Sequence, residues 1–238
     1  MILVVAVASP ASPNFAVVNF SNTPPTVVMT PGFENGNIVD CYGTLAAVAE
    51  NSGYSVALFD ISTPASPAQV GVVETGFQIG AISLNGEYVL TGEFNGSRVS
   101  LIDISNPASP AIVSVTDCAP MLNIIPSVAL RSPVAVVAGN NNSLSLYFAD
   151  PSVGGSPGQL LYDATGPSDY DGTTAAVAGG AGINTYALSG TSLTNLSTIH
   201  DRGLVGSVAV AEIPAGGYFA AAAGAGQFTV YAFPSGYP

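Results

Sequence analysis

The residues best suited to chemistry in this chain are three aspartates in the segment "DATGPSDYDG". Asp163, Asp169 and Asp171 offer carboxylate oxygens, and an Asp-x-Asp-Gly ending can wrap Ca²⁺ in a tight loop. The full calcium-loop pattern is interrupted, because Pro167 stands where its first aspartate would be. Calcium at Asp163, Asp169 and Asp171 is therefore one hypothesis and a structural turn is the other. No other cofactor is predicted.

Groups for other kinds of catalysis are scarce. The single histidine, His200, precedes Asp201 and Arg202, but adjacent residues on a strand point to opposite faces and no G-x-S-x-G sequence is present. One histidine and two cysteines, Cys41 and Cys118, are too few for a His/Cys metal site. We predict a polar turn at His200 and leave open whether the cysteines are bonded.

Paired carboxylates are the remaining catalytic option. A glycosidase needs two acids about 5–10 Å apart in one pocket. Asp40, Glu50, Glu87 and Glu93 are candidates, yet nothing in their spacing marks a pair. The sequence therefore predicts that the protein is not an enzyme.

The composition excludes several partners. Only 8% of the 238 residues are charged, against roughly 25% in an ordinary soluble domain. The chain has no lysine and a net charge of −12, so it cannot displace counterions from a phosphate backbone. We predict binding neither to nucleic acid nor to anionic membranes. A surface so poor in charge packs against neighbours at little desolvation cost, although a secreted domain that merely tolerates low charge has the same composition.

The first residues, "MILVVAVASP", fit two descriptions. They resemble a short signal peptide, but they lack a basic segment, and we predict a strand. No apolar run approaches the ~20 residues of a membrane-spanning helix, so no membrane insertion is predicted.

A sequence repeat predicts the strands that position the candidate residues. "LFDISTPASPAQVGVVE" (58–74) and "LIDISNPASPAIVSVTD" (101–117) share eleven of seventeen positions. Around the second copy, short apolar runs between Gly, Pro and Asn clusters predict four strands, at Gln78–Ser83, Glu87–Glu93, Arg98–Ile104 and Ala111–Thr116. Four antiparallel strands in such a unit match one propeller blade, whose period is about 40–45 residues.

Weaker copies extend the pattern over the whole chain. The third strands of the units are expected to end near Phe20, Asp60, Asp103, Asp150, Leu188 and Phe233. We therefore predict an all-β, single-domain β-propeller over residues 1–238, with six four-stranded blades favoured and five as the alternative. The first unit lacks its first strand and the last lacks its fourth, so the N- and C-terminal strands should meet where the ring closes.

The repeated phrase is predicted to turn the chain at the blade rim. Pro64 and Pro67 fix φ and lower the entropy of the crossing, while Asp60 and Asp103 can accept backbone N–H bonds in a short turn. "LFDISTPASPAQVG" and "LIDISNPASPAIVS" also resemble the LVIVD repeat. This resemblance implies a β-propeller of the kind found in surface or exported proteins, and it carries no catalytic residues.

The function predicted from these observations is assembly or binding. The channel should be lined by first strands near Asn37–Cys41, Gln78–Ser83 and Leu204–Val210, among which Asp40 is the only acid. We expect a building block that binds copies of itself or a scaffold protein, in a virion or in an extracellular or cell-surface layer or filament. The alternative is a monomeric carbohydrate- or ligand-binding propeller.

Overall fold

The computed structural model describes residues 2–7, 14–31, 37–50, 53–131, 133–140, 142–148, 150–162, 166–179, 182–189, 192–199, 207–212, 217–224 and 227–234. These residues form 22 strands and one short 3₁₀ turn, Pro151–Val153. None of the described segments is a helix long and apolar enough to cross a membrane.

The strands form six antiparallel sheets in chain order. The first sheet contains β1 (Ile2–Val7), β2 (Asn14–Asn19) and β3 (Thr26–Pro31). The second contains β4 (Asn37–Tyr42), β5 (Leu45–Glu50), β6 (Ser55–Asp60) and β7 (Ala68–Glu74). The third contains β8 (Ile79–Leu84), β9 (Tyr88–Glu93), β10 (Arg98–Asp103) and β11 (Ala111–Asp117). The fourth contains β12 (Ser127–Arg131), β13 (Val134–Ala138), β14 (Asn142–Tyr147) and β15 (Ser156–Tyr162). The fifth contains β16 (Ser168–Tyr170), β17 (Thr174–Gly179), β18 (Gly182–Ser189) and β19 (Ser192–Ile199). The sixth contains β20 (Ser207–Glu212), β21 (Gly217–Gly224) and β22 (Gln227–Pro234).

The strands confirm the repeat pattern read from the sequence. Those of the third sheet lie within one residue of the four predicted ones, and the N-terminal segment forms a strand. The described part of the first and last sheets has three strands each, whereas the four sheets between them have four. The meeting of the two ends and the single domain stay predictions. His200 lies outside the described residues.

A side-chain turn lies at or shortly after the end of four third strands. The Oδ1 atoms of Asn19, Asp60, Asp103 and Asp150 each accept the backbone N–H of the serine two residues on, at 2.8–2.9 Å. This is the Asx turn expected of a short polar side chain at a chain reversal. Because β2 ends at Asn19 in the same way, β2 is a third strand and the described first sheet lacks a first one.

The chain divides into two compact units, one of Met1–Phe94 with Val99–Val115 and the other of Asn95–Arg98 with Thr116–Pro238. In the first unit, Leu58 of β6 packs with Ile79 and Leu84 of β8, and Phe15 of β2 stacks edge-on against Phe59 with ring centres 4.7 Å apart. In the second, comparable clusters join the fourth sheet to the fifth and the fifth to the sixth. Middle strands are buried on both faces, which explains their continuous apolar runs.

Candidate functional site

The aspartate of the first strand of the second sheet joins that sheet to its neighbour. Asp40 on β4 accepts the N–H of Cys41 through Oδ1 and the N–H of Leu84 on β8 through Oδ2, both at 2.8 Å. A first strand is the edge of its sheet, so its N–H groups need acceptors from outside the ladder. Asp40, the acid that the sequence placed at the channel, is therefore a structural link between two sheets of the first unit.

Asp169 links two neighbouring sheets in the same way in the second unit. It lies on β16 and accepts the N–H of Tyr170 at 2.8 Å and the N–H of Val210 on β20 at 2.9 Å. Asp171 directly follows the same strand, and its Oδ1 accepts the N–H and hydroxyl of Thr173 and the N–H of Thr174 at 2.8–2.9 Å. Oδ2 of Asp171 is buried with no hydrogen-bond partner.

These contacts bear on the calcium hypothesis. Asp169 and Asp171 come to one strand end, but three of their four oxygens already accept hydrogen bonds, and Asp163 lies outside the described residues. Within the part of the chain that the structure describes, no cluster of three metal-ligating side chains is found. Calcium binding here stays a prediction.

The sequence signal that was missed is a second repeat. "DCYGT" (40–44) and "DYDGT" (169–173) share the pattern Asp-x-x-Gly-Thr. In both, the aspartate bridges to the next sheet and the glycine has positive φ, +61° at Gly43 and +112° at Gly172. A left-handed backbone favours glycine, so the pattern specifies a strand end and a hairpin turn. Reading only the Asp-x-Asp-Gly portion pointed to a metal instead.

The candidate binding site is an open cleft of about 630 Å³ in the first unit, a volume typical of ligand sites. It lies between the second and third sheets, where the repeated phrases leave their third strands. The lining residues come from the β4–β5 hairpin, the two phrases, β7 and the β8–β9 turn: Tyr42, Gly43, Thr44, Leu45, Asp60, Ser62, Val70, Leu84, Gly86, Ile104, Ser105, Asn106, Pro107 and Ala108.

The electrostatics of the cleft come from one carboxylate. Asp60 is partly exposed, and hydrogen bonds from the backbone N–H and hydroxyl of Ser62 hold its pKa below the ordinary value. Tyr42 carries the other titratable group of the lining, and its side chain is 53% exposed. The acids Asp40, Glu87 and Glu93 do not line the cleft, and the side chain of Glu50 lies outside the described ones.

One wall of the cleft is held by close backbone packing. A Cβ at Gly71 of β7 would collide with the carbonyl oxygen of Pro107 and would lie 3.0 Å from Cδ of Pro110. The second repeated phrase therefore rests directly on the outer strand of the preceding sheet. The prediction that this phrase is a corner piece is supported, and the same packing places Pro107 and Ala108 on the cleft wall.

The two cysteines, both described, are thiols rather than a disulfide. Cys118 is fully buried, and desolvation together with the nearby charge of Asp117 raises its pKa to about 12. A neutral buried thiol is unreactive, so Cys118 offers no nucleophile.

These sheets and their repeats define a β-propeller fold. Similarity to solved structures supports it: Kluyvelomyces marxianus Hsv2 superimposes with a TM-score of 0.60 over 92% of this chain and 69% of that one, at 12% sequence identity. At that identity the likeness shows the fold alone. The number of blades in a closed ring stays a prediction.

The repeats themselves belong to a known family. The LVIVD repeat model matches residues 39–75 and 80–117, so this chain carries two LVIVD repeats. No curated protein is significantly similar in sequence. A propeller with LVIVD repeats indicates a binding or protein-interaction scaffold.

Proposed function

We propose that this chain is a non-enzymatic building block that binds copies of itself or a scaffold protein. The assembly that it builds is part of a virion or is an extracellular or cell-surface layer or filament. A charge-poor composition with a mean hydropathy of +0.47 supports this, because burying such a surface removes few charges from water.

The observation that carries the proposal is the edge formed by β22. This strand pairs with β21 and ends the order of its three-stranded sheet. Its eight residues, "QFTVYAFP", include no charge, and Val230 is 53% exposed. Long uncharged edges are templates for a strand from another chain, and proteins that avoid such pairing usually place charges there.

Other outer strands add apolar contact surface. Val27 and Met29 on β3, Val72 on β7 and Val115 on β11 are each between 45% and 58% exposed. Apolar residues repeated on the rims of several sheets are typical of surfaces that are covered in an assembly.

The cleft supports the non-enzymatic part of the proposal. General acid–base chemistry needs two groups within reach of the same substrate. Among the described residues, the lining of the cleft has one carboxylate, Asp60, and one phenol, Tyr42. That set is suited to binding.

Light scattering after size exclusion tests the assembly. We expect species at multiples of 23.7 kDa that bury about 800 Å² or more per partner. Val230→Lys should yield monomer, because a charge on the edge prevents strand addition. Val153→Lys is the matched control, since it places the same charge on an exposed valine of the Pro151–Val153 turn, away from any strand edge. A monodisperse monomer at high concentration, absent from any larger particle, would contradict the proposal.

A further inference from the structure

The β4–β5 hairpin lacks a side-chain turn that two equivalent hairpins contain. In the β8–β9 hairpin, Asn85 accepts the N–H groups of Glu87 and Tyr88 at 3.2 and 2.8 Å. Asp171 closes the β16–β17 hairpin in the same way. The equivalent residue of the β4–β5 hairpin is Tyr42, which pairs with Leu45 in the same register. A tyrosine cannot close an Asx turn.

Tyr42 contributes to the cleft instead. Its ring lies on the next hairpin, since a Cβ at Gly86 would be 3.1 Å from Cε1 of Tyr42. More than half of the side chain remains exposed. A position that gives up a local stabilising contact without burying its side chain is expected at a functional site.

Asp60 supplies a charge that its turn does not require. Its Oδ1 atom accepts the N–H of Ser62 at 2.8 Å. Asn19 makes the same contact with Ser21 at 2.9 Å through an uncharged amide. The carboxylate of Asp60 is therefore available to a ligand, and none of the described residues that line the cleft is a lysine, arginine or histidine.

We propose that this cleft binds an arginine or lysine side chain of a polypeptide partner. The cationic head pairs with Asp60 and lies against the ring of Tyr42, while the aliphatic stem covers the partly exposed Leu45 and Val70. Each group has a matching counterpart: a carboxylate and an aromatic face bind a cation, and methylenes cover apolar side chains. The net charge of −12 favours approach of a cation and disfavours an anion.

This inference goes beyond assembly, because the site lies within the first unit and would bind equally well in a monomer. Its failure and that of the assembly proposal are distinguishable, since one is measured by ligand binding and the other by particle mass.

The probes are N-acetylated, C-amidated tripeptides Ala-Arg-Ala, Ala-Lys-Ala and Ala-Gln-Ala, titrated into ¹⁵N-labelled protein and followed by NMR. We expect saturable shifts at the β4–β5 hairpin with the arginine and lysine peptides and none with glutamine. Binding should weaken as salt rises, because the attraction is screened.

Three variants test the assigned residues. Asp60→Asn keeps the turn, as Asn19 does, and should raise the Kd of the arginine peptide about tenfold, the effect of losing one charge-assisted hydrogen bond. Tyr42→Asn removes the ring and should raise the Kd about threefold, whereas Tyr42→Phe keeps the ring and should leave it unchanged. Asp103→Asn is the matched control for Asp60→Asn, since Asp103 makes the same Asx turn but does not line the cleft.

Two results would overturn the inference. Equal weakening by Asp60→Asn and Asp103→Asn would show general attraction to an acidic protein. Shifts at Tyr42 with neutral methyl glycosides, but not with the arginine peptide, would assign the cleft to carbohydrate. Thermal melts of every variant exclude unfolding as the cause.

Discussion

The segments "DCYGT" and "DYDGT" share one backbone design and differ in the residue before glycine. In both, the aspartate holds the first strand of the next sheet, at Leu84 and at Val210. In the second segment Asp171 also closes its own turn, whereas in the first Tyr42 stands exposed on a cleft. The comparison separates what the fold requires, the bridging aspartate and the glycine, from a position left for binding.

Removing the bridging aspartates should have the largest effect. Asp40→Ala and Asp169→Ala each leave two backbone N–H groups without their carboxylate acceptor, so we expect each to lower the free energy of unfolding by about 2 kcal/mol. Urea denaturation measures this, with Asp103→Asn as a control that retains its turn acceptor. If one variant were destabilised and the other not, the two segments would not be structural equivalents.

Replacing the residue before glycine should change the free energy of unfolding in one segment and not lower it appreciably in the other. Asp171→Ala loses the acceptor for Thr173 and Thr174 and should cost about 1–2 kcal/mol. Tyr42→Asn introduces the side chain that Asn85 uses in the neighbouring hairpin, and we expect stability within about 0.5 kcal/mol of the parent or above it. A large loss in Tyr42→Asn would mean that Tyr42 is needed for packing, which would remove the contrast.

Acid should weaken the turns at the ends of the third strands. Hydrogen bonds from Ser62 and Ser152 hold the pKa of Asp60 and Asp150 below the unfolded-state value near 3.8. A carboxyl with a lowered folded-state pKa stabilises the fold above the unfolded value, and this stabilisation is lost as the pH falls through the folded one. We expect a constant Tm between about pH 7 and 5 and a decline below about pH 4. The double variant Asp60→Asn, Asp150→Asn should decline less, and an identical decline would assign acid sensitivity to other groups.

Calcium should have the smallest effect. Because the oxygens of Asp169 accept N–H groups, we expect no change in Tm when millimolar Ca²⁺ or EDTA is added. A rise that grows with calcium concentration, as binding to the native state requires, and that disappears in Asp171→Ala would restore the calcium hypothesis. It would also give "DYDGT" a function that "DCYGT" lacks.

Much of the fold could be predicted because its signals are local. Alternating turn residues and apolar runs located the strands, and the aspartates at positions 60, 103 and 150 indicated where third strands end. The bridging role of Asp169 was missed because its nearest carboxylate, Asp171, suggested a metal loop. Comparing residues 40–44 with 169–173 would have revealed it.

The sequence by itself determined the period, the strands and the corner phrases, since each depends on backbone preferences of neighbouring residues. The cleft and the residues that line it could be identified only from the tertiary structure. Tyr42, Asp60, Val70 and Ile104 come from segments up to 62 residues apart, and they share one surface because β8 packs against the second sheet. Periodicity specifies each sheet. Which side chains face one another depends on contacts between sheets, and those contacts produce no regular spacing of residues in the sequence.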